Sequence, residues 1–168
     1  MAEVFVGIGS NQNAAVNVRA AVAGLQALLG PLQLSSVYES EAVGFVGPPF
    51  LNLVARATTE LSLDAVVAGL RAIETALGRR RAGMAAASCH SADLDLLLYD
   101  QLCVDIPVVL PRAEILTNAF VLWPLAELAP ELRHPVDGRS YGQLWAAYDR
   151  ASQQLAPVEF RWPDDAGA

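Results

Sequence analysis

Two aspartates, Asp93 and Asp95, stand two residues apart in the run Asp93-Leu94-Asp95-Leu96-Leu97-Leu98-Tyr99. A β-strand sends alternate side chains to opposite faces, so both carboxylates project from one face and converge. Converging carboxylates repel unless a cation lies between them, and hard oxygen donors suit magnesium. The competing reading is a solvated strand edge, because Asp-x-Asp is a short motif. Upstream stands Arg79-Arg80-Arg81. Arginines at a helix end offset its dipole, and their guanidinium forks also grip phosphate oxygens. Arginines and a carboxylate pair on either side of a soft stretch, 82–91, are what a magnesium–nucleotide site requires. Phosphoryl transfer there depends on positioning and charge neutralisation. No G-x-x-x-x-G-K phosphate loop is present.

Other counts narrow the chemistry. The chain has 168 residues, with 11 basic against 18 acidic side chains and a formal net charge of −7. Every basic residue is arginine; lysine is absent. Such a chain is ill suited to non-specific nucleic-acid or membrane-surface binding, which needs clustered positive charge. At 54% hydrophobic and 17% charged residues, it is not a disordered polymer. No apolar run reaches the ~20 residues that span a bilayer, and the N-terminus lacks a signal-peptide pattern. Cys89 and Cys103 read as two unpaired thiols, which fits a reducing cytoplasm.

The elements that must position these groups follow from hydrophobic periodicity. Val4 to Ile8 reads as a strand ending at Gly9-Ser10-Asn11, and Asn13 to Leu29 as a helix stopped by Gly30-Pro31. Leu32 to Tyr38 and Phe50 to Glu60 read as strands, separated by the glycine- and proline-rich loop 42–49. A helix from about Leu63 to Leu77 is expected to end at Gly78, Asp93 to Tyr99 is a strand, and Phe120 to Leu128 is a third helix stopped by Pro130. The order predicts an α+β fold: a ferredoxin-like βαββαβ antiparallel sheet with helices on one face and C-terminal additions. Residues 1–160 are expected to form one domain and 161–168 a loose tail. His134, next to Pro135, reads as a surface loop residue.

Further motifs join the acid pair: Val6-Gly7-Ile8-Gly9-Ser10-Asn11, Ser35-Ser36-Val37-Tyr38-Glu39-Ser40, Phe50-Leu51-Asn52 and Ile73-Glu74 with Gly78-Arg79. Phe120-Val121-Leu122-Trp123-Pro124-Leu125 and Ala129-Pro130-Glu131-Leu132 complete the series. In this order and spacing the chain resembles the 6-hydroxymethyl-7,8-dihydropterin pyrophosphokinase family of the folate pathway, from Val4 to about Leu144. The resemblance implies transfer of the terminal diphosphate of ATP to the hydroxymethyl oxygen of a reduced pterin. It implies two magnesium ions bridging the ATP phosphates and held by Asp93 and Asp95. It also implies pterin contacts from Phe50 and Phe120 by stacking, from Asn52 by hydrogen bonds, and from Ser40 and Val43 through the backbone. Arg79 and Arg81 match arginines of a loop that closes over the nucleotide.

Some positions depart from the family pattern. His90 stands where an arginine precedes the first acid by three residues, Pro111-Arg112 replaces proline-histidine, and Asn118 replaces a later arginine. No tryptophan occurs in 84–89, and Glu41 replaces a proline. Arg112 and His90 are the candidates to recover part of the phosphate grip, His90 only where it carries charge. Small-molecule pterin and ATP are the expected partners, in the cytoplasm, with a monomer as the default and neither nucleic acid nor membrane involved. Two alternatives stay open: a divergent enzyme using a related pterin or donor in a C1-cofactor pathway, and a pterin-binding protein without catalysis.

Overall fold

A computed structural model describes residues 1–40, 49–79 and 92–163. Its elements are β1 (Ala2–Ser10), α1 (Ala14–Leu29), β2 (Gln33–Leu34), β3 (Val37–Ser40), β4 (Phe50–Thr59), α2 (Leu63–Arg79) and β5 (Asp93–Tyr99), followed by α3 (Ala119–Leu128), α4 (Tyr141–Ala147) and β6 (Leu155–Val158). The sheet runs β5-β1-β4-β3-β6, with β2 also on β4, and its pairings are antiparallel. The α+β arrangement expected from the sequence is therefore present.

Strand alternation divides the interior into two layers. Val4, Val6 and Ile8 of β1, Leu53, Ala55 and Ala57 of β4, and Leu94 and Leu96 of β5 face α1 and α2. Those helices answer with Val18, Val22 and Leu25 from α1, and Val66, Leu70 and Leu77 from α2. Phe5, Val54, Leu97 and Leu98 point the other way, into a second core with Val121, Leu122 and Leu125 of α3 and Tyr141 and Leu144 of α4. The C-terminal additions thus cover the sheet face opposite the first two helices. A register shift between Phe5 and Val6 pairs Phe5 with Leu98 and Val6 with Leu96. The extra residue lets Leu97 and Leu98 both enter the second core.

Several local expectations change. The strand read as Leu32 to Tyr38 is two short strands broken at Ser35 and Ser36. Ser35 Oγ accepts from Val54 N at 2.9 Å, so a side chain replaces a ladder bond at the break. Gly78 does not end its helix, because α2 runs through it to Arg79. Helix α4 and strand β6 escaped the periodicity reading. Helix α4 carries a capping box between Ser140 and Gln143. The segment expected to be loose is tied down as far as Trp162. Trp162 packs edge-on to Phe160 at 4.5 Å, and Arg161 O accepts from Arg19 Nε at 2.9 Å. Residues 164–168 lie outside the described residues. Cys103 is free and exposed, and Cys89 lies outside the described residues. Among the described residues, no helix is long and apolar enough to cross a membrane.

His134 also differs from expectation: it is only 4% exposed. Its Nδ1 accepts from Val136 N at 3.1 Å and Asp137 N at 2.9 Å, and burial lowers its pKa. It is a buried acceptor that closes the turn before α4.

Glu127 ties α3 to β3 and the residue before it. Its carboxylate accepts from Ser36 N at 3.1 Å, Ser36 Oγ at 2.9 Å and Tyr38 Oη at 2.5 Å. Tyr38 is almost wholly buried, and burial, followed by the neighbouring carboxylate, pushes its phenol well above the ordinary range. Glu127→Ala removes the carboxylate that accepts from that hydroxyl and from Ser36. Chemical denaturation should show a loss of about 1–3 kcal/mol, the usual cost of orphaning a buried donor, whereas an unchanged midpoint would refute the assignment.

Candidate active site

On the α3 side of the sheet, one row of residues crosses three strands. Gly9 of β1 pairs with Asn52 of β4 on one side and Asp93 of β5 on the other, and Gly7 pairs with Asp95. Residues in register share a face, so Asn52, the two glycines and the two aspartates all look into the same space. The glycines leave a floor without side chains between Asn52 and the acid pair. The flanking strands are about 10 Å apart, two interstrand spacings. A Cβ on Gly9 would lie 2.8 Å from Asn52 Oδ1, so only glycine leaves Asn52 its position.

This floor belongs to a cavity of about 730 Å³. Its walls include Ser40, Phe50, Asn52, Asp93, Asp95, Arg112 and Phe120, seven of the candidate site residues read from the sequence. Asn52 Nδ2 donates to Ser40 Oγ at 3.2 Å, which fixes the amide and leaves Oδ1 facing the glycine floor. Helix α3 starts at the cavity and presents Phe120. Pro124 has no N–H, so the Phe120 carbonyl lacks its usual donor four residues on. Strand β5 enters the site under the control of α2, where Glu74 Oε2 accepts from Leu94 N at 2.9 Å.

The remaining candidates divide as follows. Arg79 closes α2, but its side chain is outside the described residues, as are Val43, Arg81 and His90. Asn118 forms the N-cap of α3 without a side-chain cap bond. Residues that sequence reasoning missed also line the cavity: Gly7, Gly9, Glu114 and the segment from Ser152 to Leu155. Alternating glycines inside a strand signal a close approach and could have marked the floor. The C-terminal segment carries no local signature; it reaches the site because β6 pairs with β3, Leu155 opposite Ser40.

Electrostatics in the cavity favour a bound cation. Arg112 Nη2 lies 3.5 Å from Asp95 Oδ1, and its Nε pairs with Glu114. Three carboxylates face one guanidinium among the described lining residues. Burial pushes the Asp95 carboxyl above its ordinary value; Arg112 opposes the rise, while Asp93 and Glu114 add to it. Among the described residues no cluster of three or more His, Cys, Asp or Glu side chains forms a ready-made metal cage. Two carboxylates on one strand face suit magnesium, which takes one or two carboxylates and completes its shell with water and substrate phosphates.

Comparison with known proteins gives consistent matches. Residues 5–130 match the family model described as 7,8-dihydro-6-hydroxymethylpterin-pyrophosphokinase. The chain is 36% identical over 149 residues to a Pseudomonas aeruginosa protein named 2-amino-4-hydroxy-6-hydroxymethyldihydropteridine pyrophosphokinase, covering 86% of this chain and 90% of that one. A protein of the same name from Aquifex aeolicus is 30% identical over 139 residues, covering 81% of this chain and 86% of the relative. Among solved structures, the wild-type HPPK-DHPS of Plasmodium falciparum superposes with a TM-score of 0.69 at 12% identity. That superposition covers 90% of this chain but 44% of the other, so this chain spans less than half of that longer protein.

Asp95 weakens the metal-free fold at neutral pH, because its raised pKa means the fold disfavours the charged form. The sign follows: stability rises as pH falls through the raised pKa toward the ordinary 3.8. Asp95→Asn, a stand-in for the protonated acid, should therefore melt higher than the parent at pH 7 in chelator. The difference should disappear near pH 3, and a lower melting temperature at pH 7 would contradict the burial argument.

Proposed function

We propose, for a chain that belongs to the 7,8-dihydro-6-hydroxymethylpterin-pyrophosphokinase family, that the cavity on the α3 face is where diphosphate passes from ATP to the pterin. The protein is a diphosphokinase-type transferase of folate biosynthesis. One observation carries the assignment of the site: residues from β3, β4, β5, α3 and the loop before it, drawn from position 40 to position 120, converge on one cavity.

The division of labour follows from the sheet order. On the β4 side, Asn52 offers an acceptor and a remaining N–H to the amino-pyrimidinone edge of the pterin, while Phe50 and Phe120 supply apolar faces for the ring. Across the glycine floor, Asp93 and Asp95 are the groups that would hold magnesium. When bound, magnesium supplies neutralisation of the triphosphate charge. Arg112, oriented by Glu114 and Asp95, presents guanidinium donors to phosphate oxygens. The floor lets the substrate's hydroxymethyl oxygen approach the β-phosphorus from the Asn52 side. A new O–P bond forms there, the hydroxyl proton passes to water, the bond from the β-phosphorus to the α-phosphate oxygen breaks, and AMP leaves. Excess negative charge on the walls supports the metal reading: a bare triphosphate would be repelled by the acids that line its path.

The test is AMP release from ATP and 6-hydroxymethyl-7,8-dihydropterin with magnesium. The parent should turn over, and Asp95→Ala should lose activity by at least a hundredfold with an unchanged circular dichroism spectrum. Pterin binding without AMP release by the parent would replace the transferase reading with a binding one. The glycine floor makes a separate prediction. Gly9→Ala should fold, because only the end of the Asn52 side chain must yield, yet weaken pterin binding by roughly tenfold, the scale of one lost hydrogen bond. Calorimetry showing parental affinity would remove Asn52 from ring recognition.

A further inference from the structure

The wall formed by Ser152 to Leu155 is anchored on both sides. Asp149 starts it, accepting from Ala151 N at 3.1 Å through its side chain and from Ser152 Oγ at 2.7 Å through its carbonyl. Arg150 lies 4.9 Å over the Trp145 ring, which stacks on Trp123 of α3 at 5.0 Å, and Trp123 meets Tyr38 at 4.8 Å. Tyr148 Oη donates to Thr117 O at 2.7 Å. Beyond the wall, β6 locks onto β3. Gln153 is thus held between two anchors.

Its carboxamide is oriented by chemistry. Ala119 N, the first amide of α3, donates to Gln153 Oε1 at 2.7 Å, a service the Asn118 side chain does not provide. Only the oxygen of a carboxamide accepts from an N–H, so the bond fixes which end is which. The NH2 end has no protein partner among the described residues, and Gln153 lines the cavity. Sheet order sets what it can meet. The acids stand on β5 at one end of the sheet, while Gln153 precedes β6 at the other, beside Phe120 and near Ser40. That is the end assigned to the ring, away from the phosphates.

We propose that Gln153 is a substrate-binding residue, its Oε1 clamped by the Ala119 N–H and its Nε2 donating to a carbonyl or ring-nitrogen acceptor of a heteroaromatic substrate. The proposal rests on the pterin reading of the cavity. It makes the C-terminal segment part of ring recognition and couples that recognition to the start of α3, the helix that carries Phe120.

Gln153→Glu separates the two roles. A carboxylate still accepts from Ala119 N–H, but the donor to the ligand is gone. Titration of the full chain with 6-hydroxymethyl-7,8-dihydropterin, in magnesium and a non-hydrolysable ATP analogue, should show Kd raised roughly tenfold. The melting temperature and the affinity for the analogue alone should match the parent. Gln153→Met, which removes acceptor and donor together, should weaken pterin binding and also lower the melting temperature. Pterin affinity of Gln153→Glu within twofold of the parent overturns the role of Gln153 and leaves the cavity assignment standing. Equal weakening of pterin and nucleotide overturns it too, since that marks a charge effect rather than a lost donor. Failure of the parent itself to bind pterin overturns both readings.

Discussion

The period-two alternation of β5 forces its leucines and its aspartates into opposite environments. Leu94 and Leu96 pack under α1 and α2, and this burial fixes the register of the strand against β1. A slip by one residue would drive two carboxylates into that core and expose the leucines, at a cost no local contact could offset. Hydrophobic burial on one face therefore holds the charged pair in place on the other. The bulge opposite the Phe5–Val6 step ends the alternation where it is no longer needed and returns the strand to pure packing at Leu97 and Leu98. Glu74 adds a hydrogen bond from the helix side at Leu94.

Fixing two acids beside each other has an electrostatic cost, and the surroundings are arranged around it. Asp95 carries the burden, with its pKa raised by burial and only partly relieved by Arg112. Arg112 in turn is shared with Glu114, so the one described guanidinium of the cavity is neutralised by the protein's own carboxylates. In a lysine-free chain of net charge −7, the described charged lining of the cavity is thus net negative, a field that favours cations over bare anions. Such sites trade stability of the empty protein for affinity when filled.

Much of this was legible from local pattern. Strands β1, β4 and β5 and helices α1 and α2 lie within a residue or two of where periodicity put them, because each carries a regular apolar set facing the core between the sheet and α1 and α2. Asp93 and Asp95 needed only the strand period. What was not legible arises between distant segments. The split at Ser35 and Ser36 exists because those serines satisfy Val54 N and Glu127, partners that no local window contains. His134 looked superficial because histidine beside proline suggests a loop; it is a loop, but one folded beneath α4 with its ring as acceptor. Gln153 had no motif at all, since its partner Ala119 lies 34 residues away.

Strand β6 gives the cavity an unusual timing. The pocket is lined from Gly7 to Leu155, and its last wall is the last strand of the sheet. During synthesis the β1–β4–β5 core and its helices emerge well before that wall, so the nascent chain can bury most of its apolar surface while the pocket is still open on one side. Under the proposal for Gln153, the ring end of the pocket is complete only once residues 152–158 have emerged and β6 has paired with β3.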